Sequence, residues 1–367
     1  MNVEKATKHN YGIDVLRIIS MFSIVGLHVL GQGGVLFNMQ LGTLNSCILQ
    51  ILYVFFICSV DTFAMITGYL YANKEKVKSR NVIDLFFTVA FYCVVITLIV
   101  YILVPEIFDR KWVVISALFP PIVDKYWYIV CYFLVFFFIP YLNKLIAVLE
   151  KRNFQVLLGI LLLFLSLVTT FGYKDYFRTD SGYSPWWLIV CYLIGAYIKM
   201  YGLPKFLLQK QKLLLVCNIL TVYVGWNILE WLNRAFLGIN IETRLFLRYT
   251  SPFTVLSAVL LLSIMIEAGE RLENVRFKKI IGVLSKSAFG VYIIHSHILI
   301  FDYFMAGRFA FILELSPIMS FIAVILSCCG IYSVCTIVDV VRQNIFKTKG
   351  VSNFINKLGE RIDRVLL

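Results

Sequence analysis

Charged residues are scarce in this 367-residue chain: Asp, Glu, Lys and Arg together make up 15% of it, against about 25% in an ordinary soluble domain. So little charge cannot cover a water-exposed surface, which excludes the soluble globular class. Acidic residues are the scarcer sign, 21 against 34 Lys and Arg, giving a net charge of +13. The basic residues fall in short clusters between apolar stretches rather than on one folded face. That pattern argues against a nucleic-acid surface and reads as a membrane topology signal. Nine cysteines are present, but no Cys-x-x-Cys or Cys/His metal spacing. Almost all lie in apolar segments, Cys328 and Cys329 adjacent to one another, and they read as small core hydrophobes with neither disulfides nor zinc implied. Internal repeats, low-complexity stretches and soluble appendages longer than a loop are also lacking. The first apolar stretch has no clear small-residue cleavage site and carries Asp14, Arg17 and His28, so it reads as a retained helix rather than a signal peptide.

Apolar residues are what the chain has instead: 60% hydrophobic, 16% aromatic, mean hydropathy +0.84. A spanning helix needs roughly 20 apolar residues to cross about 30 Å of hydrocarbon. Such windows recur near 14–34, 46–71, 82–104, 126–148, 154–171, 185–201, 213–232, 248–267, 281–304 and 316–341. The fold class is therefore all-α, a polytopic membrane protein of about ten transmembrane helices, with residues 1–341 as one membrane domain. Alternate connecting segments hold most of the Lys and Arg, among them Lys205, Lys210, Lys212, Arg271, Arg276, Lys278 and Lys279. The positive-inside rule then places both termini in the cytoplasm. Tyr126, Trp127, Trp186 and Trp187 fall at helix ends, where an aromatic belt is expected. Residues 342–367 read as a basic amphipathic tail on the inner leaflet, with Phe354, Ile355, Leu358, Ile362 and Leu366 at helical spacing.

Ionisable residues inside apolar spans are the informative ones, because each costs roughly 2.5–3.5 kcal/mol at a helix centre and must find a partner or water. Arg17 and His28 are eleven residues apart, so they share a face of the first helix to within about 20° and stand roughly 16 Å apart along its axis. Asp14, three residues before Arg17, lies on the same stripe within ion-pair reach. The alternative is that Arg17 snorkels to the headgroups and His28 bonds a neighbouring helix. Asp61 and His295 lie in the second and ninth spans, where an ordinary interhelical polar contact would also account for each.

The run Ile13-Asp14-Val15-Leu16-Arg17, ten residues, then His28 resembles the Arg-x10-His motif of the membrane acyltransferase-3 family, whose members O-acylate cell-envelope glycans. Asp61 to Leu70 is similar to that family's second-helix stretch, with Thr67 in place of the usual serine. Tyr126-Trp127-Tyr128-Ile129 followed by Pro140 is similar to its fourth-helix pattern, and Ser287 to His295 resembles its late Ser…Tyr-x-x-His helix. The Arg-x-x-Arg pair found in many members is incomplete, since Val77 stands three residues before Arg80.

The resemblance implies an O-acyltransferase of a bacterial cytoplasmic membrane. It would use cytoplasmic acyl-CoA, most simply acetyl-CoA, as donor co-substrate, with a surface or lipid-linked glycan as acceptor and no permanently bound cofactor. His28 is then the expected general base, since imidazole with an ordinary pKa of roughly 6.5 accepts a proton at neutral pH. Asp61 or Asp14 is expected to orient or charge-stabilise the site, and Arg17 to stabilise donor charge or the oxyanion. Lys74, Lys76, Lys78 and Arg80 join Arg17 where the phosphates of the donor would pass. Tyr292 and His295 are expected to line the same cavity. Two rivals stand beside this reading. His297 and Asp302 match the His-x4-Asp pattern of glycerolipid acyltransferases, a two-position match that arises easily by chance. Buried Asp and His residues also suit a secondary transporter, although no inverted repeat is visible.

Overall fold

The computed structural model describes residues 9–72, 74, 79–108, 111–123, 125–172, 174–236, 242–272 and 276–366. Among these residues every regular element is helical. The principal helices are α1 (Tyr11–Leu30), α2 (Leu44–Ile57), α3 (Ser59–Tyr71), α4 (Arg80–Leu103), α5 (Trp127–Val148), α6 (Lys151–Leu162), α7 (Pro185–Tyr201), α8 (Lys205–Ala235), α9 (Pro252–Arg271), α10 (Lys278–His295), α11 (Pro317–Phe346) and α12 (Lys349–Leu366). Helices α2 and α3 together make one long apolar stretch, and α6 continues through a π-helical turn at Leu163–Val168 to Phe171.

Eight of these stretches are long and apolar enough to cross a membrane. The expected count of about ten is lowered at two places. The 281–304 span is not straight: α10 ends at His295 and the chain bends by 79° into Ile300–Glu314, making a ninth crossing only if the bent pair is one span. The 185–201 span is α7, whose 17 residues reach about 25 Å at 1.5 Å each, short of the full hydrocarbon thickness.

Helix α1 is the centre of the bundle. Of its apolar window 67% is buried, against 22% in α8, and it packs on α2, α3, α9, α10 and α11. Its start is fixed by Asn10, whose side chain accepts from the Gly12 amide at 2.9 Å and donates to the Ile266 carbonyl of α9 at 3.2 Å. The peripheral helices turn bulky apolar side chains outward, among them Leu98 and Ile102 of α4, Val216 of α8 and Leu326 of α11. Polar groups are gathered inside, with Asp61 and Asp339 both fully buried. This inside-out distribution is what a lipid solvent selects.

Helices α3 and α7 meet backbone to backbone. A Cβ on Gly68 would lie 1.9 Å from the Tyr192 carbonyl oxygen, and one on Gly195 would lie 2.0 Å from that of Met65. Glycine at both positions lets the backbones touch, the usual device where lipid offers no hydrophobic drive between helices.

Helix α11 runs on to Phe346, and α12 folds back along α4. Ile355 is buried there, and the Phe354 ring meets Phe87 edge-on at 5.6 Å. Asp363 Oδ1 accepts from the backbone amide of Ser79, at the start of α4, at 3.0 Å.

Candidate active site

His28 sits in the last turn of α1 and lines a narrow cavity of about 30 Å³ with Val60, Phe63, Trp127, Tyr128, Tyr249 and Tyr292 among its walls. That is room for two or three waters at roughly 10–15 Å³ each. Its Nδ1 lies 2.9 Å from His295 Nε2, and His295 Nδ1 lies 2.6 Å from the Val291 carbonyl oxygen. A carbonyl only accepts, so His295 Nδ1 carries a proton; neutral His295 then has its lone pair on Nε2. That nitrogen accepts from His28 Nδ1–H, which leaves the lone pair of His28 on Nε2. The tautomer of the first imidazole is thus set by the second. Phe301 packs edge-on against the His28 ring at 4.9 Å. Sequence reasoning places His295 and Tyr292 only as lining, and Tyr292 does line the cavity, but His295 is the direct partner of His28.

Arg17 and Asp14 lie at the other end of α1, paired at 3.5 Å as their spacing predicts. Asp14 also accepts from Ser285 Oγ at 3.0 Å and bonds His9 Nε2 at 2.6 Å. Fourteen residues of helix put Asp14 about 21 Å from His28, so it does not orient that ring. Arg17 faces inward, lining a second cavity of about 200 Å³ with Thr67, Tyr71, Tyr132 and Lys286. A third cavity, about 190 Å³, shares Tyr71, Tyr132 and Lys286 with it and adds Asp84, Thr88 and Arg342. Phe63 and Phe289 line both the His28 cavity and the Arg17 cavity, their rings edge-to-face at 5.5 Å. The hollows therefore form a series through the bundle, with cations at one end, two phenylalanines between, and the imidazole pair beyond.

Asp61 makes no hydrogen bond to His28. Its Oδ1 accepts from Trp187 Nε1 at 3.0 Å. The belt expectation fails at this residue: Trp187 is fully buried, because the glycine contact draws the first turn of α7 against α3, while Trp186, 100° around the helix, faces outward. Tyr126 is also buried, donating to the Ile293 carbonyl at 2.5 Å, and Trp127 belongs to the cavity wall.

The basic residues expected along the donor path are placed differently. Lys74 is exposed with its ammonium 4.1 Å above the Tyr71 ring, and Arg80 is exposed with its backbone beneath Gly359 of α12. Neither lines these cavities, and Lys76 and Lys78 lie outside the described residues. The cations that do line them beside Arg17 are Lys286 and Arg342. Arg342 pairs with Asp339 at 2.8 Å and donates to Thr88 Oγ1 at 3.2 Å. Asp339 also accepts from Tyr92 at 2.8 Å and Gln343 at 2.7 Å. The rule that flags charges inside apolar helices applies equally to Asp339, inside the 316–341 span, and to Arg342, which reads from sequence as the start of the tail.

His297 and Asp302 do not form a dyad. His297 Nε2 meets the Ala117 carbonyl at 3.1 Å, whereas Asp302 pairs with Lys125 at 3.2 Å. Among the described residues no three His, Cys, Asp or Glu side chains converge to hold a metal ion.

No curated protein and no solved structure matches the chain. An acyltransferase-domain family model matches residues 10–339, from the Asn10 cap of α1 to Asp339 in α11, and takes in both paired histidines. With nine-tenths of its length so matched, and with an imidazole pair and a cation-lined hollow inside a lipid-facing bundle, the chain belongs to the membrane acyltransferase-3 family and is an integral membrane acyltransferase.

Proposed function

We propose that this protein transfers an acyl group, most simply acetyl, from cytoplasmic acyl-CoA to a hydroxyl of a cell-envelope or exported glycan. The observation that carries this reading is the His295-to-His28 bond, which leaves the His28 Nε2 lone pair as the one available to the cavity. In the proposed step Nε2 takes the proton of the acceptor hydroxyl as its oxygen attacks the thioester carbonyl. The carbon–sulfur bond then breaks, and the departing thiolate of CoA takes that proton from the imidazolium. No proton or electron is left over, and the enzyme returns to its starting form. His295 serves as the positioning residue for the base.

Arg17, about 16 Å along the helix from His28, is too distant to meet the oxyanion and suits the phosphate end of the donor. Asp14 holds Arg17 in place. Asp61 acts at one remove, bonding Trp187 of α7 to α3, the helix that gives Val60 and Phe63 to the cavity wall. The donor end of the series lies beside the N-terminus of α1, the start of α4 and helix α12, the same end that the basic residues mark as cytoplasmic. The same distribution favours both termini inside, and the family resemblance supports the inner membrane of a bacterial cell.

Membranes containing the protein, given labelled acetyl-CoA, are expected to place label in the glycan fraction as a base-labile ester. His28→Ala should abolish that label at normal membrane abundance. Undiminished label in His28→Ala membranes would refute the assignment of the base.

A further inference from the structure

At the donor end, most of the inward-facing charge is already engaged. Arg17 is paired with Asp14 and Arg342 with Asp339. Lys286 of α10 is exposed, yet unlike Lys74 and Arg80 it lines both of these open hollows, and it has no hydrogen-bond or ion-pair partner among the described residues. The other charged side chains on those walls are Arg17, Arg342 and Asp84, beside the phenols of Tyr71 and Tyr132. An anion entering from the basic end of the bundle meets Lys286 as the cation whose charge is not already offset by a bonded carboxylate.

Its height in the bundle carries a second argument. Lys286 and His295 stand on one helix nine residues apart, about 14 Å along its axis but half a turn apart around it, and Lys286 meets the Arg17 cavity through its long side chain. Arg17 and His28 stand about 16 Å apart on the neighbouring helix. The pantetheine arm between the thioester and the diphosphate of an acyl-CoA has a backbone nearly as long as five extended residues, roughly 16 Å. A thioester carbonyl placed at His28 therefore leaves the diphosphate level with Arg17 and Lys286. Between the two levels lie Phe63 and Phe289, which line both the His28 cavity and the Arg17 cavity and suit the uncharged arm.

Resting on the acyl-CoA reading above, we propose that Lys286 and Arg17 together grip the donor diphosphate, with α10 acting as a ruler from that grip to the imidazole pair. The site then selects thioesters of phosphorylated pantetheine and disfavours the unphosphorylated arm. Charge-assisted hydrogen bonds of this kind are the stronger ones.

The test is equilibrium binding of labelled acetyl-CoA, acetyl-4′-phosphopantetheine and acetyl-pantetheine to the purified full-length protein in detergent micelles. Wild type is expected to bind the two phosphorylated thioesters at least tenfold more tightly than acetyl-pantetheine. Lys286→Gln should weaken both phosphorylated ligands about tenfold and leave acetyl-pantetheine unchanged, and Lys286→Arg should restore most of the loss. Equal binding of all three ligands by wild type, or an equal penalty for acetyl-pantetheine in Lys286→Gln, overturns the proposal. If wild type discriminates as expected but Lys286→Gln matches it, the ruler fails and the acyl-CoA reading stands. If wild type binds no acetyl-CoA, that reading fails and the ruler with it. Wild-type discrimination is measured without any variant, so it holds whether or not Lys286→Gln accumulates.

Discussion

Removing His295 tests whether the two imidazoles work as a unit. His295→Ala deletes the acceptor 2.9 Å from His28 Nδ1 and frees the ring to turn and to move its proton to Nε2, where no base remains. The smallest expected loss is that of one net hydrogen bond, about 1 kcal/mol or five- to tenfold in rate. The largest is the whole contribution of a general base, roughly 10²- to 10⁴-fold. His295→Gln should retain more activity than His295→Ala, because its side-chain oxygen reaches about the position of the lost nitrogen and accepts the same proton. In the double variant His28→Ala/His295→Ala the second change should add almost nothing to the first, since groups acting through one another are strongly non-additive. The assay is label transfer from acetyl-CoA to the glycan fraction, normalised to protein abundance. Independent, multiplicative losses from the two substitutions would refute the coupling, as would full activity in His295→Ala.

Three further outcomes follow from the packing. Trp187→Phe removes the hydrogen-bond donor to Asp61, whose Oδ2 already has no partner among the described residues; stability should fall by about 1–3 kcal/mol, read as a lower thermal aggregation midpoint in detergent. An unchanged midpoint would show that the bond does not support the fold. Gly68→Ala and Gly195→Ala each drive a methyl to about 2 Å from a carbonyl oxygen of the facing helix, so membrane abundance should collapse; wild-type abundance would rule out so close an approach. Asp363→Ala removes the carboxylate that accepts from the Ser79 amide, and trypsin should then cut sooner after Lys357 and Arg361, with equal cleavage times counting against a docked tail.

Much of the membrane architecture can be read in advance because hydropathy reports the solvent directly. Runs near 20 residues long appear as helices, and the stripe from Asp14 through Arg17 to His28 does face inward, since turning it to lipid would cost several kcal/mol. What hydropathy does not reveal is pairing. His28 and His295 are 267 residues apart, and nothing in either span announces the other. Trp187 misleads for a related reason: a tryptophan at a helix end looks like a headgroup anchor until the glycines of α3 and α7 are known to meet. The loop cations are ambiguous in sequence too, because a topology signal and an anion site have the same composition, and Lys74 and Arg80 do not line the cavities. Lys286 and Arg342 do line them, and only the convergence of α10 and α11 on the cavities separates these two from the other cations.

The 79° turn after His295 has a mechanical consequence. The arm before it presents His295 to one side of the His28 ring, and the arm after it presents Phe301 at 4.9 Å. The two arms therefore hold the ring as the jaws of a clasp hold a pin. Straightening the segment into an unbroken helix would carry one jaw away, so the fracture in the helix is what keeps the imidazole still.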